Sequence, residues 1–312
     1  MIGKDLALAK EQLERGQLVA IPTETVYGLA GNAFDEQAVL SIFRVKNRPA
    51  FDPLIVHTNS WERLHDFVSE IPSKAQQLAK ALMPGALTLL LPKSALIPDL
   101  VTSGLDRVAV RIPNHPLTRA LLASLPFPLA APSANPFGYI SPTTAQHVEK
   151  QLGNRIAYIL DGGPCEVGLE STIVGFENDE AVVYRKGGIA IETIEAIIGP
   201  VKVQAHSSSN PAAPGMLKSH YAPRTPLKLI STENKLSVTD NPNVGILSFQ
   251  KDYGVDNQEI LSPSGDLSEA ARHLFAAMRR LDQLGLDFIY AELLPEEGLG
   301  RAINDRLRRA AV

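Results

Sequence analysis

The chain has 312 residues, 45% apolar and 21% charged, with a net charge of −4; this is a globular composition, long enough for a domain of about 200 residues and a smaller one. Residues 1–205 carry 18 basic and 21 acidic residues, 225–312 carry 10 and 13, and only Lys218 and Arg224 lie between, so no region is a polycation suited to duplex nucleic acid. The single cysteine, Cys165, excludes an internal disulfide, the first residues lack the apolar core of a signal peptide, and no apolar run outlasts Leu87–Leu91; together these predict a cytoplasmic protein that does not engage a membrane.

Residues 4–15 predict a helix, since Leu6, Ala9 and Leu13 recur at helical spacing and Gly16 supplies a stop. Leu18–Ile21 reads as a buried strand ended by Pro22, followed by a loop, residues 23–29, rich in hydroxyls and carrying Glu24. A helix over 35–45 leads to Lys46-Asn-Arg48-Pro49, where the proline pushes Arg48 towards extended geometry and so places both cations on one face. Two such cations suit a polyphosphate; a solvated loop that happens to carry two charges is the plainer alternative. Strand 54–58, helix 73–82, strand 87–91, strand 108–112, helix 116–124 and the short run 129–131 follow. The turn 132–136 precedes helix 143–151, strands at 157–160, 171–176 and 181–185, and a helix at 191–198. Strands and helices mix without strict alternation, which predicts an α/β sheet of mixed direction.

From 206 to 226 the composition is that of a linker, yet it ends in Lys218-Ser-His220-Tyr221-Ala-Pro-Arg224, which a plain spacer does not need. Strands 227–230, 244–249 and 288–291 and helices 267–284 and 300–311 then predict a small Rossmann-like unit over 227–312, lacking the glycine fingerprint of a dinucleotide site. The apolar stripe of helix 267–284, from Leu267 to Leu281, reads as core rather than a binding face.

No P-loop, zinc-spaced cluster or nucleophile elbow is present, and Cys165 has no evident base beside it. What remains is a set of polar residues at strand ends: Thr23, Thr25, His57, Arg111, Ser133, Asn135, Ser141, Ser171 and Arg185. Singly, each has a structural explanation; Ser141-Pro142-Thr143, for instance, reads as a helix N-cap. Arg111 is the exception, because a guanidinium inside an apolar strand requires an anionic partner. Gathered at one sheet edge with Lys46 and Arg48, these residues suit a nucleoside triphosphate and a small carboxylate.

Five ordered motifs carry a resemblance: Ile21-Pro-Thr-Glu-Thr-Val-Tyr-Gly-Leu29, Lys46-x-Arg48-Pro49, Pro53-Leu-Ile-Val-His57, Ala131-Pro-Ser-Ala-Asn135 and Glu170-Ser-Thr-Ile-Val174. They resemble the YrdC-type domain, and the linker and C-terminal unit resemble the long, two-domain form of the threonylcarbamoyl-AMP synthase family. The resemblance implies a YrdC-like twisted mixed sheet over 1–205, a linker over 206–226 that closes on the active site, and the Rossmann-like unit. It implies synthesis of L-threonylcarbamoyladenylate and pyrophosphate from L-threonine, bicarbonate or CO2 and ATP, with Mg2+ accompanying the triphosphate. A tRNA threonylcarbamoyl transferase complex would receive the product, and binding of tRNA is left open but not required. By motif, Thr25, His57, Arg111, Ala131 and Ser171 would hold threonine. Lys46, Arg48, Asp52, Arg107, Ser133, Asn135, Ser141, Arg185 and Tyr221 would surround ATP, with Lys46, Arg48 and Arg111 as the positioning cations and no side-chain nucleophile. Asp52, Arg107 and Lys186 depart from the family pattern, and Arg107 and Lys186 would offset the carboxylate of Asp52. Two other readings compete: a non-catalytic RNA-binding module using the same groove, and carbamoyl transfer as in hydrogenase-maturation proteins, which calls for segments this chain lacks.

Overall fold

A computed structural model describes residues 1–204, 213, 214, 216, 219–230 and 243–311. The linker residues 206–212, 215, 217 and 218, Lys218 among them, therefore lie outside the described residues. In chain order the first unit contains β1 (Ile2–Gly3), α1 (Leu6–Glu14), β2 (Val19–Ile21), β3 (Gly28–Asn32), α2 (Glu36–Lys46), β4 (Ile55–His57), α3 (Trp61–Leu64), α4 (Ser73–Leu82) and β5 (Leu87–Pro92). It continues with α5 (Asp99–Thr102), β6 (Arg107–Arg111), α6 (Pro116–Ser124), β7 (Leu129–Ala130), α7 (Ala145–Leu152), β8 (Tyr158–Leu160), β9 (Thr172–Glu177), β10 (Glu180–Arg185), α8 (Ile191–Ile198) and β11 (Lys202–Val203). The second holds β12 (Leu227–Leu229), β13 (Val244–Ser248), β14 (Gln258–Ile260), α9 (Leu267–Asp282), β15 (Phe288–Ala291) and α10 (Gly300–Ala310).

Among the described residues, eleven strands form one mixed sheet in the order β1-β8-β2-β3-β7-β4-β6-β5-β9-β10-β11, and four parallel strands form a second in the order β12-β15-β13-β14. Both the mixed sheet and the small parallel unit match the sequence expectation. The expected loop at 23–29 is shorter than predicted, because β3 begins at Gly28 and pairs antiparallel with β2 and β7. Helix α7 starts at Ala145 with Thr144 as its cap, accepting from the His147 amide, so the expected cap at Ser141 is replaced. Helix α2 runs on to Lys46 and stops at Asn47, which adopts left-handed φ 54°. Lys46 is thus helical, and it does not share an extended face with Arg48.

The two faces of the large sheet are covered differently. One packs against α2, α4, α7 and α8, with Ile42, Leu78, Val148 and Ile194 meeting Val56, Leu89, Val110 and Val174. The other is covered over β2, β3, β7 and β8 by α1 and α6, through Ala9, Leu13, Leu121 and Leu122. Over β4, β5, β6, β9 and β10 no helix among the described residues joins the apolar cover; Ala213 and Met216 of the linker lie instead on Ile55, Leu90, Ala109, Ile173 and Val182. Full burial of Met216 contributes about 2 kcal/mol to this contact. The functional cavity lies at the seam between the helical and linker covers.

Helix α9 is capped by Asp266, whose carboxylate accepts from the Ser268 and Glu269 amides. Its apolar stripe is core for the second unit, as expected, but Val26, Ile140 and Leu169 of the first unit join the same cluster. The stripe is therefore also the surface on which the two units meet. Gly168 permits that approach: at φ +77° any Cβ would lie 2.5 Å from Arg272 Cα and 2.6 Å from the Ala271 carbonyl. Polar bonds seal the joint, with Tyr139 donating to Asp282 at 2.6 Å, Asp282 accepting from the Thr225 amide at 2.8 Å and Arg272 donating to the Glu166 carbonyl at 2.9 Å.

Candidate active site

One end of the cavity is built on strand ends. β4 and β6 are parallel neighbours, and their register places His57 beside Arg111. Arg111 finds the anion its position demands: its Nη2 lies 2.9 Å from Glu24 Oε1, both side chains being almost wholly buried, and its Nε donates to the Gly85 carbonyl at 3.2 Å. The second Glu24 oxygen accepts from the Asn114 amide at 3.0 Å. His57 is buried, its Nδ1 3.2 Å from the Ile55 carbonyl. Burial, and then the charge of Arg111, push its pKa down to about 3, so it is neutral at working pH. Thr23 donates to the Val26 carbonyl at 2.6 Å, which leaves Thr25 as the donor in the 2.8 Å bond between the two hydroxyls. Ser171, just ahead of β9, bonds the Thr88 hydroxyl at 2.7 Å. Ala131, just after β7, completes this wall, and Gly28 faces it with space for a Cβ only 3.3 Å from the Ala131 methyl.

The other end is built from loops and the linker. A β-bulge between Val183 and Arg185 re-aims Arg185. Its guanidinium donates to the Ser171 carbonyl and hydroxyl, each at 3.0 Å, and to the Pro214 carbonyl of the linker at 3.3 Å. Burial lowers its pKa to about 10, still fully cationic. Arg48 donates to the Asp52 carbonyl at 2.9 Å and the Pro53 carbonyl at 2.7 Å, and pairs with Asp52 Oδ2 at 2.9 Å. Tyr221 closes this end. It is stacked on Phe275 with ring centroids 5.7 Å apart, flanked by Arg309 and Arg306 at 4.8 and 5.2 Å, and edge-on to His220. Its backbone takes left-handed φ 66°, a strained state for an aromatic residue of the kind that gathers at functional sites.

The expected site residues separate into three groups. Thr25, Arg48, His57, Arg111, Ala131, Ser133, Ser171, Arg185 and Tyr221 line the same cavity. Lys46, Asp52, Asn135 and Ser141 stand behind it. Lys46 donates to the Ser133 and Asn135 carbonyls, both at 2.5 Å, and so shapes the turn that lines the cavity; burial and then Arg48 lower its pKa. Asn135 donates to the Tyr139 carbonyl at 2.8 Å, and the Ser141 hydroxyl donates to Glu170 at 2.5 Å. Asp52 is wholly buried against Arg48 and repels nothing in the cavity. Arg107 is placed elsewhere: it starts β6, four residues and about 13 Å from Arg111, where it bonds the Tyr184 hydroxyl at 3.0 Å and lies 3.6 Å from Glu177. Neither Arg107 nor the Lys186 side chain lines the cavity, so neither offsets Asp52; Arg48 does.

Among the residues that gained no role from the sequence are Glu170, Pro214 and His220, which line the cavity, Glu24, which pairs with Arg111, and Arg306, which reaches Glu170 from α10. A signal for Arg306 existed in α10, whose buried side carries Asn304, Asp305, Arg306 and Arg309 where an ordinary helix carries aliphatic residues. The free space at the centre of the cavity is about 50 Å3, room for a few waters, with Pro214, His220 and Tyr221 of the linker among the residues that line it.

The family model described as "Telomere recombination" matches residues 11–187, and that described as "Threonylcarbamoyl-AMP synthase, C-terminal domain" matches 189–312. A Bacillus subtilis protein named threonylcarbamoyl-AMP synthase is 42% identical, over 98% of this chain and 92% of its own length. One of that name from Pyrococcus abyssi is 40% identical, over 98% and 94%. The crystal structure of P. abyssi Sua5 complexed with L-threonine superposes with a TM-score of 0.92 at 39% identity, covering all of this chain and 97% of that one. On the two consecutive family models and these near full-length relatives, the chain belongs to the threonylcarbamoyl-AMP synthase family.

Proposed function

We propose that the strand-borne end of the cavity takes L-threonine and the linker-borne end takes ATP, and that the protein joins them through bicarbonate or CO2 into L-threonylcarbamoyladenylate with release of pyrophosphate. The observation that carries this assignment is the junction of two chemistries in one cavity: a rigid end with Thr25, His57, Arg111 and Ser171, and a cationic end with Arg48 and Arg185 under Tyr221. Arg111, held by Glu24, meets the threonine carboxylate, and the neutral His57 and the hydroxyls of Thr25 and Ser171 orient the rest. The threonine amine adds to CO2 to give a carbamate, whose oxygen attacks the α-phosphorus while pyrophosphate leaves. No side-chain nucleophile is needed; alignment and neutralisation of phosphate charge lower the barrier. Arg48 and Arg185 supply that charge, and their carbonyl partners are exchangeable for phosphate oxygens.

A protein-held Mg2+ does not fit the residues present. The two carboxylates near the phosphate end, Asp52 and Glu170, are committed to Arg48 and Arg306, and no cluster of three acidic, histidine or cysteine side chains suited to a metal occurs among the described residues. No helix among the described residues is long and apolar enough to cross a membrane. A cytoplasmic location and delivery of the adenylate to a tRNA threonylcarbamoyl transferase complex complete the proposal. A non-catalytic RNA-binding role is disfavoured because Arg48, Arg111 and Arg185 are buried around one cavity rather than spread along an exposed groove. The test is pyrophosphate release from ATP: it should require both threonine and bicarbonate, and an equal rate with serine or with no amino acid would overturn the assignment.

A further inference from the structure

Glu170 is out of place in a cavity that is to hold a triphosphate. It lines the cavity, it is buried, and like charges in a low-dielectric site repel strongly. Its neighbours account for its presence. Oε1 accepts from the Ser141 hydroxyl at 2.5 Å, and Oε2 accepts from Arg306 through Nε at 3.2 Å and Nη2 at 3.0 Å. Arg306 belongs to α10 of the second unit and is fully buried. Its remaining nitrogen donates to the Lys186 carbonyl at 2.6 Å and pairs with Asp305 at 3.1 Å, a carboxylate that Arg309 also approaches at 3.4 Å. Burial would raise the Glu170 pKa, but Arg306, then Arg185 and Ser141, outweigh it and hold the carboxyl ionised.

We infer that Arg306 is a positioning residue for ATP, supplied by the second unit: it neutralises Glu170 and leaves Arg185 to the phosphates. Without Arg306, Glu170 becomes an uncompensated anion that claims Arg185 and opposes the triphosphate. The same guanidinium stands over the Tyr221 ring, so docking of α10 sets both the charge and the aromatic cover of the nucleotide end. This inference rests on the reading that ATP occupies the linker-borne end.

The test uses the full chain and the pyrophosphate assay, with KM for ATP and for threonine measured separately and folding followed by thermal unfolding. Arg306→Met is expected to raise the ATP KM about tenfold or more while the threonine KM stays within about twofold, as for a buried charge left without its partner. Arg306→Lys keeps the charge and should hold the ATP KM within about threefold of wild type. The double variant Glu170→Gln with Arg306→Met removes the stranded anion and should restore the ATP KM to within about threefold; a merely structural role predicts a double variant no better than Arg306→Met. If Arg306→Met does not fold, Glu170→Gln decides: its ATP KM should fall about twofold, and a rise overturns the inference. A folded Arg306→Met with unchanged ATP KM overturns it too. So does a loss of about 100-fold in kcat for Glu170→Gln at constant ATP KM, which would make Glu170 a base. Wild-type protein that releases no pyrophosphate would instead remove the reaction assignment beneath it.

Discussion

The two ends of the cavity hold their charge in different ways. At the strand-borne end, Arg111 is matched by a carboxylate and His57 is kept neutral, both fixed by the register of β4 and β6. At the linker-borne end Arg185 is satisfied by carbonyls and a hydroxyl, and Arg48 by carbonyls as well as Asp52, all on loops or the linker. A carbonyl partner satisfies a guanidinium without cancelling its charge, so it can yield to a phosphate oxygen at little net cost. On the proposed assignment, the small substrate would meet a preformed wall, whereas the polyanion would meet Arg185, whose carbonyl and hydroxyl partners can yield, and Arg48, which keeps Asp52 as its counter-charge.

Breaking the rigid end should have the largest effect. Arg111→Ala is expected to weaken threonine binding by about 3 kcal/mol or more and also to destabilise the fold, because Glu24 is left buried and unpaired. Calorimetric titration and urea unfolding check this; Glu24→Gln in the same chain should recover stability but not threonine affinity, and recovered binding would show that Arg111 is only a structural partner. Acid should act next. The His57 pKa is depressed to about 3 in the folded state, so below about pH 6.5 the unfolded chain binds a proton that the folded one refuses, and stability falls by about 1.4 kcal/mol per pH unit. His147 and His220 are shifted the same way by burial and neighbouring cations, so His57→Gln should flatten the slope between pH 5 and 7 without removing it; an unchanged slope would refute the neutral His57. At the linker-borne end, Tyr221→Ala should raise the ATP KM about tenfold, roughly 1.4 kcal/mol, with threonine affinity unchanged. A matching loss for threonine would erase the distinction between the ends. Arg107→Ala, remote from both, should change either KM by less than about twofold and stability by under about 0.5 kcal/mol, since its pairing with Glu177 is partly exposed.

Elements with strong periodicity were legible in the sequence: α1, α6, α9 and β5 fall where the apolar spacing places them. β3 was not, because Gly28-Leu-Ala-Gly-Asn32 carries no β-branched residue; it is a strand because β2 and β7 flank it and because Gly31 admits Leu18 to within 3.0 Å of where a Cβ would be. The site was legible as residue types and less so as geometry. One further residue of helix in α2 carries Lys46 away from the face of Arg48 and under the turn at Ser133. Asp52, which by sequence alone opposes a phosphate, proves to be the counter-charge of Arg48 four residues earlier. Glu170 had no legible role because the cation that explains it lies 136 residues further along the chain.

The linker's place on the sheet has a practical meaning for anyone shortening this protein. A chain ending at Gln204 would keep every strand of the large sheet but strip Ala213 and Met216 from Ile55, Leu90, Ala109, Ile173 and Val182. Those side chains would form a contiguous greasy patch on five adjoining strands, the kind of surface that drives self-association. Ala213 and Met216 thus shield the sheet from self-association, and trimming the protein to its larger unit creates an aggregation hazard.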